Sequence, residues 1–252
     1  MENQAAAHKP NQIKVLGICG SPIQGGNTEI FLKEALKASE KTGDTTTELI
    51  SLADKDIKDC NQDNWCIMHQ EEGNFCSKED DLRYLLPKIL EADCLLLATP
   101  SYTGKPSAPL SALLDRLRCL SLGKYYRGKE KSKVAGVLAI GWGRSRGIET
   151  CQIPMVYSLM GHGYLIVCPD HGTLSGSHWG ACGVSSENGT GIFDSKDKLG
   201  ILKDEFGLIG ARSLGRRVAN VAKIVRSGEA QLPELAETIK REWSSHKYRI
   251  RR

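Results

Sequence analysis

Several short stretches of this 252-residue chain carry residue types whose spacing can do chemistry. The first is Gly20-Ser21-Pro22-Ile23-Gln24-Gly25-Gly26-Asn27-Thr28, which directly follows the apolar run Ile13–Cys19 and opens a helical pattern. Its glycines allow a tight backbone with inward-facing amides, and a helix start adds unpaired N–H groups and a partial positive charge. Ser21, Asn27 and Thr28 can donate further hydrogen bonds, so the turn suits a phosphate. The spacing is neither the Gly-x-Gly-x-x-Gly of dinucleotide binding nor the Gly-Lys-Ser/Thr of nucleoside triphosphate loops, which favours a monophosphate such as that of FMN. The plainer alternative is a Gly-rich strand-to-helix turn capped by Asn27 or Thr28.

Two further loops point the same way. Thr99-Pro100-Ser101-Tyr102-Thr103-Gly104-Lys105-Pro106-Ser107 presents an aromatic ring, hydroxyls and amides suited to a flat heterocycle with an oxygenated side chain. Gly141-Trp142-Gly143-Arg144-Ser145-Arg146-Gly147 brings backbone amides toward a planar ring edge, and Arg144 and Arg146 are either nucleotide-phosphate contacts or solvated loop arginines. His162, His171 and His178, with Cys182 nearby, match no zinc spacing and read as ordinary hydrogen-bonding loop histidines. The stretch His178–Gly183 is a candidate substrate wall.

The elements that must position these loops alternate between strand and helix, the pattern of a parallel sheet covered on both faces. Strands are expected at Ile13–Cys19, Thr46–Leu52, Asp93–Thr99, Lys133–Ile140 and Gly163–Cys168. Helices are expected at Glu29–Lys41, Asp80–Ala92 with a kink at Pro87, Pro109–Leu120, Thr150–Met160, Lys198–Arg226 and Pro233–Ser245. The reading is an α/β, flavodoxin-like, doubly wound five-stranded parallel sheet, with ligands beyond the carboxyl ends of the strands. Residues 1–12 form a flexible N-terminus and 13–228 the binding domain, within which 53–79 is a Cys-containing insertion and 169–200 a long functional or mobile loop. Residues 229–252 form a C-terminal helix and basic tail.

A composition of 40% hydrophobic and 25% charged residues fits one globular core, and 34 basic against 30 acidic residues, net +4, gives no case for a nucleic-acid partner. The basic end, Lys240–Arg252, reads as a solvated helix face and frayed tail. No run approaches the ~20 apolar residues of a membrane span, and Met1–Asn11 lacks the apolar core of a signal peptide. Nine scattered cysteines do not form a secreted disulfide framework, so a cytoplasmic location is expected, where the acceptor triplet Asn188-Gly189-Thr190 is irrelevant to glycosylation.

Gly20-Ser21-Pro22 with Gly26-Asn27-Thr28, Asp80-Asp81-Leu82, Glu91-Ala92-Asp93 and Thr99-Pro100-Ser101-Tyr102 together resemble the NADPH-dependent FMN reductase family over roughly Ile13 to Cys168. The resemblance implies that Ser21, Asn27 and Thr28 hold the FMN phosphate, with Gln24 and Gly26 also binding the cofactor. It places Pro100, Ser101, Tyr102, Thr103 and Gly104 beside the ribityl chain and ring, and Gly141, Trp142, Gly143 and Gly147 over the ring edge. It implies an oxidoreductase passing electrons from NAD(P)H through FMN to a small acceptor such as a quinone, a nitroaromatic or free flavin, with no dedicated catalytic acid–base pair. Homodimers or homotetramers are expected, with no nucleic-acid or membrane partner.

The segment Asp59-Cys60-Asn61-Gln62-Asp63-Asn64-Trp65-Cys66, with Cys76 downstream, is similar to the cysteine segment of the iron-sulfur flavoprotein branch, where Cys-x-x-Cys-x-x-Cys and a fourth cysteine hold a four-iron cluster. Cys60, Cys66 and Cys76 fall on the first, third and fourth positions, and Asp63 on the second. A carboxylate is a poorer iron ligand than thiolate and the Cys66–Cys76 gap is long, so an iron-sulfur cluster is possible but a cluster-free relative is expected. Redox-active thiols are a further alternative. The alternative function is an electron carrier working with a protein redox partner.

Overall fold

The computed structural model describes residues 12–129, 132–170, 176–192 and 198–245, the side chains of 243–245 aside. Six strands, β1 (Ile13–Cys19), β2 (Thr45–Ser51), β3 (Cys94–Pro100), β4 (Val134–Gly141), β5 (Leu165–Ile166) and β6 (Ala181–Val184), form one parallel sheet. The order β2-β1-β3-β4-β5, with β6 also on β4, is the doubly wound order that puts a ligand crevice between the C-terminal ends of β1 and β3. The helices are α1 (Asn27–Glu40), α2 (Trp65–Met68), α3 (Leu82–Glu91), α4 (Ala108–Arg116), α5 (Arg118–Ser121), α6 (Ile148–Gly161), α7 (Glu205–Gln231) and α8 (Pro233–Ser245). No helix among the described residues is long and apolar enough to cross a membrane.

The strands read as continuous apolar runs because both faces are covered. Val15, Cys19, Leu96, Ala98, Leu138 and Ile140 point to α1 and α7, whose Phe31, Leu32, Leu36, Leu214 and Val218 complete that layer. The alternate residues Leu16, Ile18, Leu95, Leu97, Ala135 and Val137 meet α3, α4 and α6 on the other face. This period of two, repeated in neighbouring strands, fixes the register and therefore which loops share an edge.

The expected fifth strand is corrected to two short ones. Val167 still donates to Ala135 O, at 2.8 Å, but Pro169 has no N–H to continue the ladder and the chain leaves the sheet. It returns as β6, pairing Ala181–Val184 with Leu138–Gly141 further along the same side of β4. The long loop therefore contains a strand. Its Gly180 and Gly183 hide it from a hydrophobicity pattern, yet a side chain at Gly180 would strike Val137 O, at 2.2 Å. The helix expected from Lys198 starts at Glu205 after a 3-10 turn at Gly200–Lys203, and that expected over Pro109–Leu120 divides at Leu117 into α4 and α5. The helix containing Pro87 continues through it.

Helices α1 and α7 touch backbone to backbone at Gly215, where Ser39 Oγ donates to Gly215 O (2.9 Å) and Ala35 O (3.1 Å). A Cβ at Gly215 would lie 2.0 Å from Ala35 O, whereas one at Gly228 of the same helix meets nothing within 4 Å. Alanine gains about 0.5–1 kcal/mol over glycine in a helix interior, and overpacking costs about 1–3 kcal/mol. Gly228→Ala is therefore expected to raise the thermal midpoint and Gly215→Ala to lower it by several degrees, as read by circular dichroism. Equal shifts would show that the helices are not in contact at Gly215.

Candidate functional site

A cleft of about 540 Å³ opens at the C-terminal edge of the sheet, lined by the turn after β1, the loops after β3, β4 and β6, and Lys198–Leu199. In the turn, Gly20 N donates to Ala98 O (2.7 Å) and Ile23 N to Ser21 Oγ (3.1 Å), which folds the chain back over β1. Glu29 in the first turn of α1 accepts from Gly25 N, at 3.0 Å, and from Lys33 Nζ, at 2.6 Å, tying the turn to the helix. Burial alone would raise the Glu29 carboxyl, but these bonds from Lys33 and Gly25 outweigh it and hold the group below its ordinary value. The Gly26 cap makes no side-chain bond to α1, leaving the helix's first amides facing the cleft beside the nearly buried Ser21 and Thr28.

The loop after β3 is a two-residue hairpin: Tyr102 and Lys105 exchange backbone bonds of 3.0 and 3.1 Å around Thr103 and Gly104, both at positive φ. This turn leaves Tyr102 48% exposed at the cleft, which Trp142, 55% exposed, also lines. Ser101 Oγ donates to Gly147 O (2.8 Å), and Ser107 Oγ to Gly20 O (2.5 Å), so hydroxyls of this loop tie the other two to it. At Gly147, φ is +77° and a Cβ would sit 2.6 Å from the Gly104 Cα, so two glycine backbones meet where any side chain would part the loops.

Of the residues expected to hold a cofactor, Ser21, Gln24, Gly26, Asn27, Thr28, Pro100, Ser101, Tyr102, Gly141 and Trp142 line the cleft together. Thr103, Gly104, Gly143 and Gly147 shape its loops without lining it. Asn27 also closes the turn onto the segment before α7, since its Nδ2 donates to Lys198 O (2.8 Å) and its Oδ1 accepts from Ile201 N (3.0 Å). Gln24 is bonded to Asp54. Sequence reasoning missed Ser185 on the cleft wall because it missed β6, which delivers it beside Gly141 through a 3.0 Å backbone bond, and missed Lys198 and Leu199 because a bond from distant Asn27 holds Lys198 there. The stretch His178–Gly183, expected as a substrate wall, does not line this cleft.

Arg144 is held away from it. Its Nη2 donates to Asp204 Oδ1 at 2.6 Å, and it helps line a separate cleft of about 610 Å³ beyond the loop after β4. Two cysteines next to the site are poor nucleophiles: burial lifts the Cys19 thiol to about 11 and the Cys151 thiol to about 12. His162 shares a 2.8 Å bond with Ser121 Oγ, and His171 lies outside the described residues. A phosphate cradle, two exposed rings and several hydroxyls in one cleft fit a flat heterocycle carrying a phosphorylated polyol.

The cysteine segment fits a metal poorly. Asp63 Oδ1 accepts from Trp65 N (3.0 Å) and Oδ2 from Ser77 Oγ (2.5 Å), bonds that hold its carboxyl below the ordinary value. Arg118 donates to Cys60 Sγ at 3.9 Å, while Cys66 is buried and its thiol raised by that burial. Among the described residues no three His, Cys, Asp or Glu side chains are grouped so as to hold a metal ion.

The family model described as NADPH-dependent FMN reductase matches residues 13–166. An iron-sulfur flavoprotein of Methanocaldococcus jannaschii is 38% identical over 214 residues, 85% of this chain and 100% of the relative. Among solved structures, RosB with a bound 8-demethyl-8-formylriboflavin-5'-phosphate intermediate aligns over 95% of this chain and 91% of its own, with a TM-score of 0.63 at 21% identity. A WrbA-like flavodoxin from Agrobacterium tumefaciens aligns over 84% and 98%, with a TM-score of 0.50 at 18% identity. The fold is flavodoxin-like, and the chain belongs to the NADPH-dependent FMN reductase family, a family of FMN-dependent oxidoreductases in which its relatives include proteins named iron-sulfur flavoproteins.

Proposed function

We propose that this protein binds FMN in the 540 Å³ cleft and passes electrons from NAD(P)H to a small acceptor such as a quinone, a nitroaromatic or free flavin. The observation that carries the reading is the convergence of the α1 amides, Ser21 and Thr28 with the exposed rings of Tyr102 and Trp142 in that cleft. FMN, when bound, supplies the redox chemistry. The chain's part is to bind and orient: the helix start and hydroxyls take the dianion, and the backbone of the loops after β3 and β4 meets the ring. The apolar stripe Ile153, Tyr157 and Met160, exposed along α6, supports self-association as a homodimer or homotetramer, which sedimentation at rising protein concentration would show. Nine free thiols support a reducing compartment such as the cytoplasm.

A second reading is favoured by the names of the relatives: an electron carrier exchanging single electrons with a protein partner. Stopped-flow mixing separates the two. Rapid bleaching of the flavin by NADPH or NADH is the expected result, and inertness to both with reduction by ferredoxin would select the carrier.

Thr28→Val removes one hydroxyl while leaving shape and backbone in place, whereas changing Asn27 would also release Ile201. A hydrogen bond to a charged group is worth about 1.5–3 kcal/mol, so Thr28→Val is expected to weaken FMN binding by about tenfold to a hundredfold in fluorescence titrations. Unchanged affinity would remove the phosphate from this turn.

A further inference from the structure

We infer that the segment from Cys60 to Cys76 is cross-linked by hydrogen bonds in place of an iron-sulfur cluster, with Asp63 as its clasp and Gln70 as its hub. Given the flavin reading above, electrons then enter and leave through the flavin cleft alone. The ligand set is the first ground. A four-iron cluster takes four thiolates, and the compact part of the segment has Asp63 where a second cysteine would stand. Both oxygens of Asp63 are committed, one to the Trp65 amide and one to the Ser77 hydroxyl, so the carboxylate joins the two ends of the segment itself. Turning it toward iron would break both bonds in exchange for a hard ligand on a metal that prefers sulfur.

The longer gap is the second, independent ground. Residues between Cys66 and Cys76 wrap around Gln70, which is 1% exposed. Its Nε2 donates to Phe75 O (3.0 Å) and Cys119 O (2.9 Å), and its Oε1 accepts from the amides of Tyr125 and Tyr126, both at 3.0 Å. All four bonding positions of the amide are thus filled. Gly73 N donates to Tyr126 OH at 2.7 Å, Lys124 N to Cys66 O at 2.9 Å, and the Phe75 and Tyr126 rings stack at 4.1 Å. Any rearrangement of the residues between Cys66 and Cys76 around a cluster would strip this buried amide of its partners.

The outer flank is fixed in the same way. Arg116, 2% exposed, is paired with Asp80 and donates to Lys58 O at 3.1 Å, while Asp80 Oδ2 accepts from Lys58 N at 2.9 Å. Arg118 joins Asn64 Oδ1, at 3.0 Å, to α5. The segment is thus anchored at both ends and in the middle by bonds within the protein.

Iron uptake tests the missing cluster. Protein purified anaerobically, then incubated with ferrous iron and sulfide and gel-filtered, is expected to retain less than one iron per chain, with a visible spectrum of flavin alone. Three or four irons per chain with matching sulfide, lost on Cys66→Ser, would overturn the inference. Hydrogen exchange tests the clasp: Asp63→Ala is expected to speed amide exchange across residues 63–78 about tenfold while FMN affinity stays as in the parent. Ser77→Ala, which removes one bond of the clasp, is expected to give a smaller increase and keeps the test readable if Asp63→Ala does not fold. Exchange unchanged in these variants would overturn the clasp. Flavin content and reduction by NADPH are measured on the same samples, so a failure of the flavin reading shows separately from a failure here.

Discussion

Asp204 holds the far wall of the cleft in place. Its side chain, 1% exposed, accepts from Val184 N (2.8 Å) at the end of β6 and from Gly207 N (3.2 Å) in the first turn of α7, and it pairs with Arg144 from the loop after β4. One buried carboxylate thereby fixes a strand end, a helix start and a site loop relative to each other, a placement in which charge-assisted bonds replace lost water. It reinforces the backbone bond that sets Ser185 beside Gly141, as Asn27 does for the 3-10 turn through Ile201 N. Arg144 is consequently a positioning residue, its guanidinium committed to Asp204.

The same economy runs through the other contacts at the sheet edge. Ser101, Ser107 and Asn27 look like ligand contacts by type, yet each spends bonds on a neighbouring loop: Gly147 O, Gly20 O, and Lys198 O with Ile201 N. The groups left facing the cleft are backbone amides, the Ser21 and Thr28 side chains and two aromatic rings. That division suits a cofactor which carries its own chemistry, since a scaffold for it has to be rigid more than reactive.

Much of this was legible from the residues. Buried parallel strands such as Cys94–Pro100 announce themselves as apolar runs, and the turn at Gly20–Thr28 by its glycines and helix-start residues. What stayed hidden depends on partners distant in sequence. The strand Ala181–Val184 has two neighbouring glycines and only four residues, and is a strand because β4 offers an unpaired edge beyond Pro169. Ser185 reaches the cleft through that pairing, and Lys198 through its bond to Asn27. The roles of Asp204 and Gln70 are likewise unreadable in a linear pattern, because each joins elements dozens of positions away. The period of two gave the layers, and the long-range polar bonds decided the wall.

The central claim is that the α1 start and the two exposed rings form one flavin site. It is tested most directly by a crystal structure of the protein grown with FMN. The account expects the phosphate on the amides of Gly26 to Thr28 and the ring between Tyr102 and Trp142. A phosphate held by Arg144 in the neighbouring cleft, or a ring seated away from those two side chains, would contradict it.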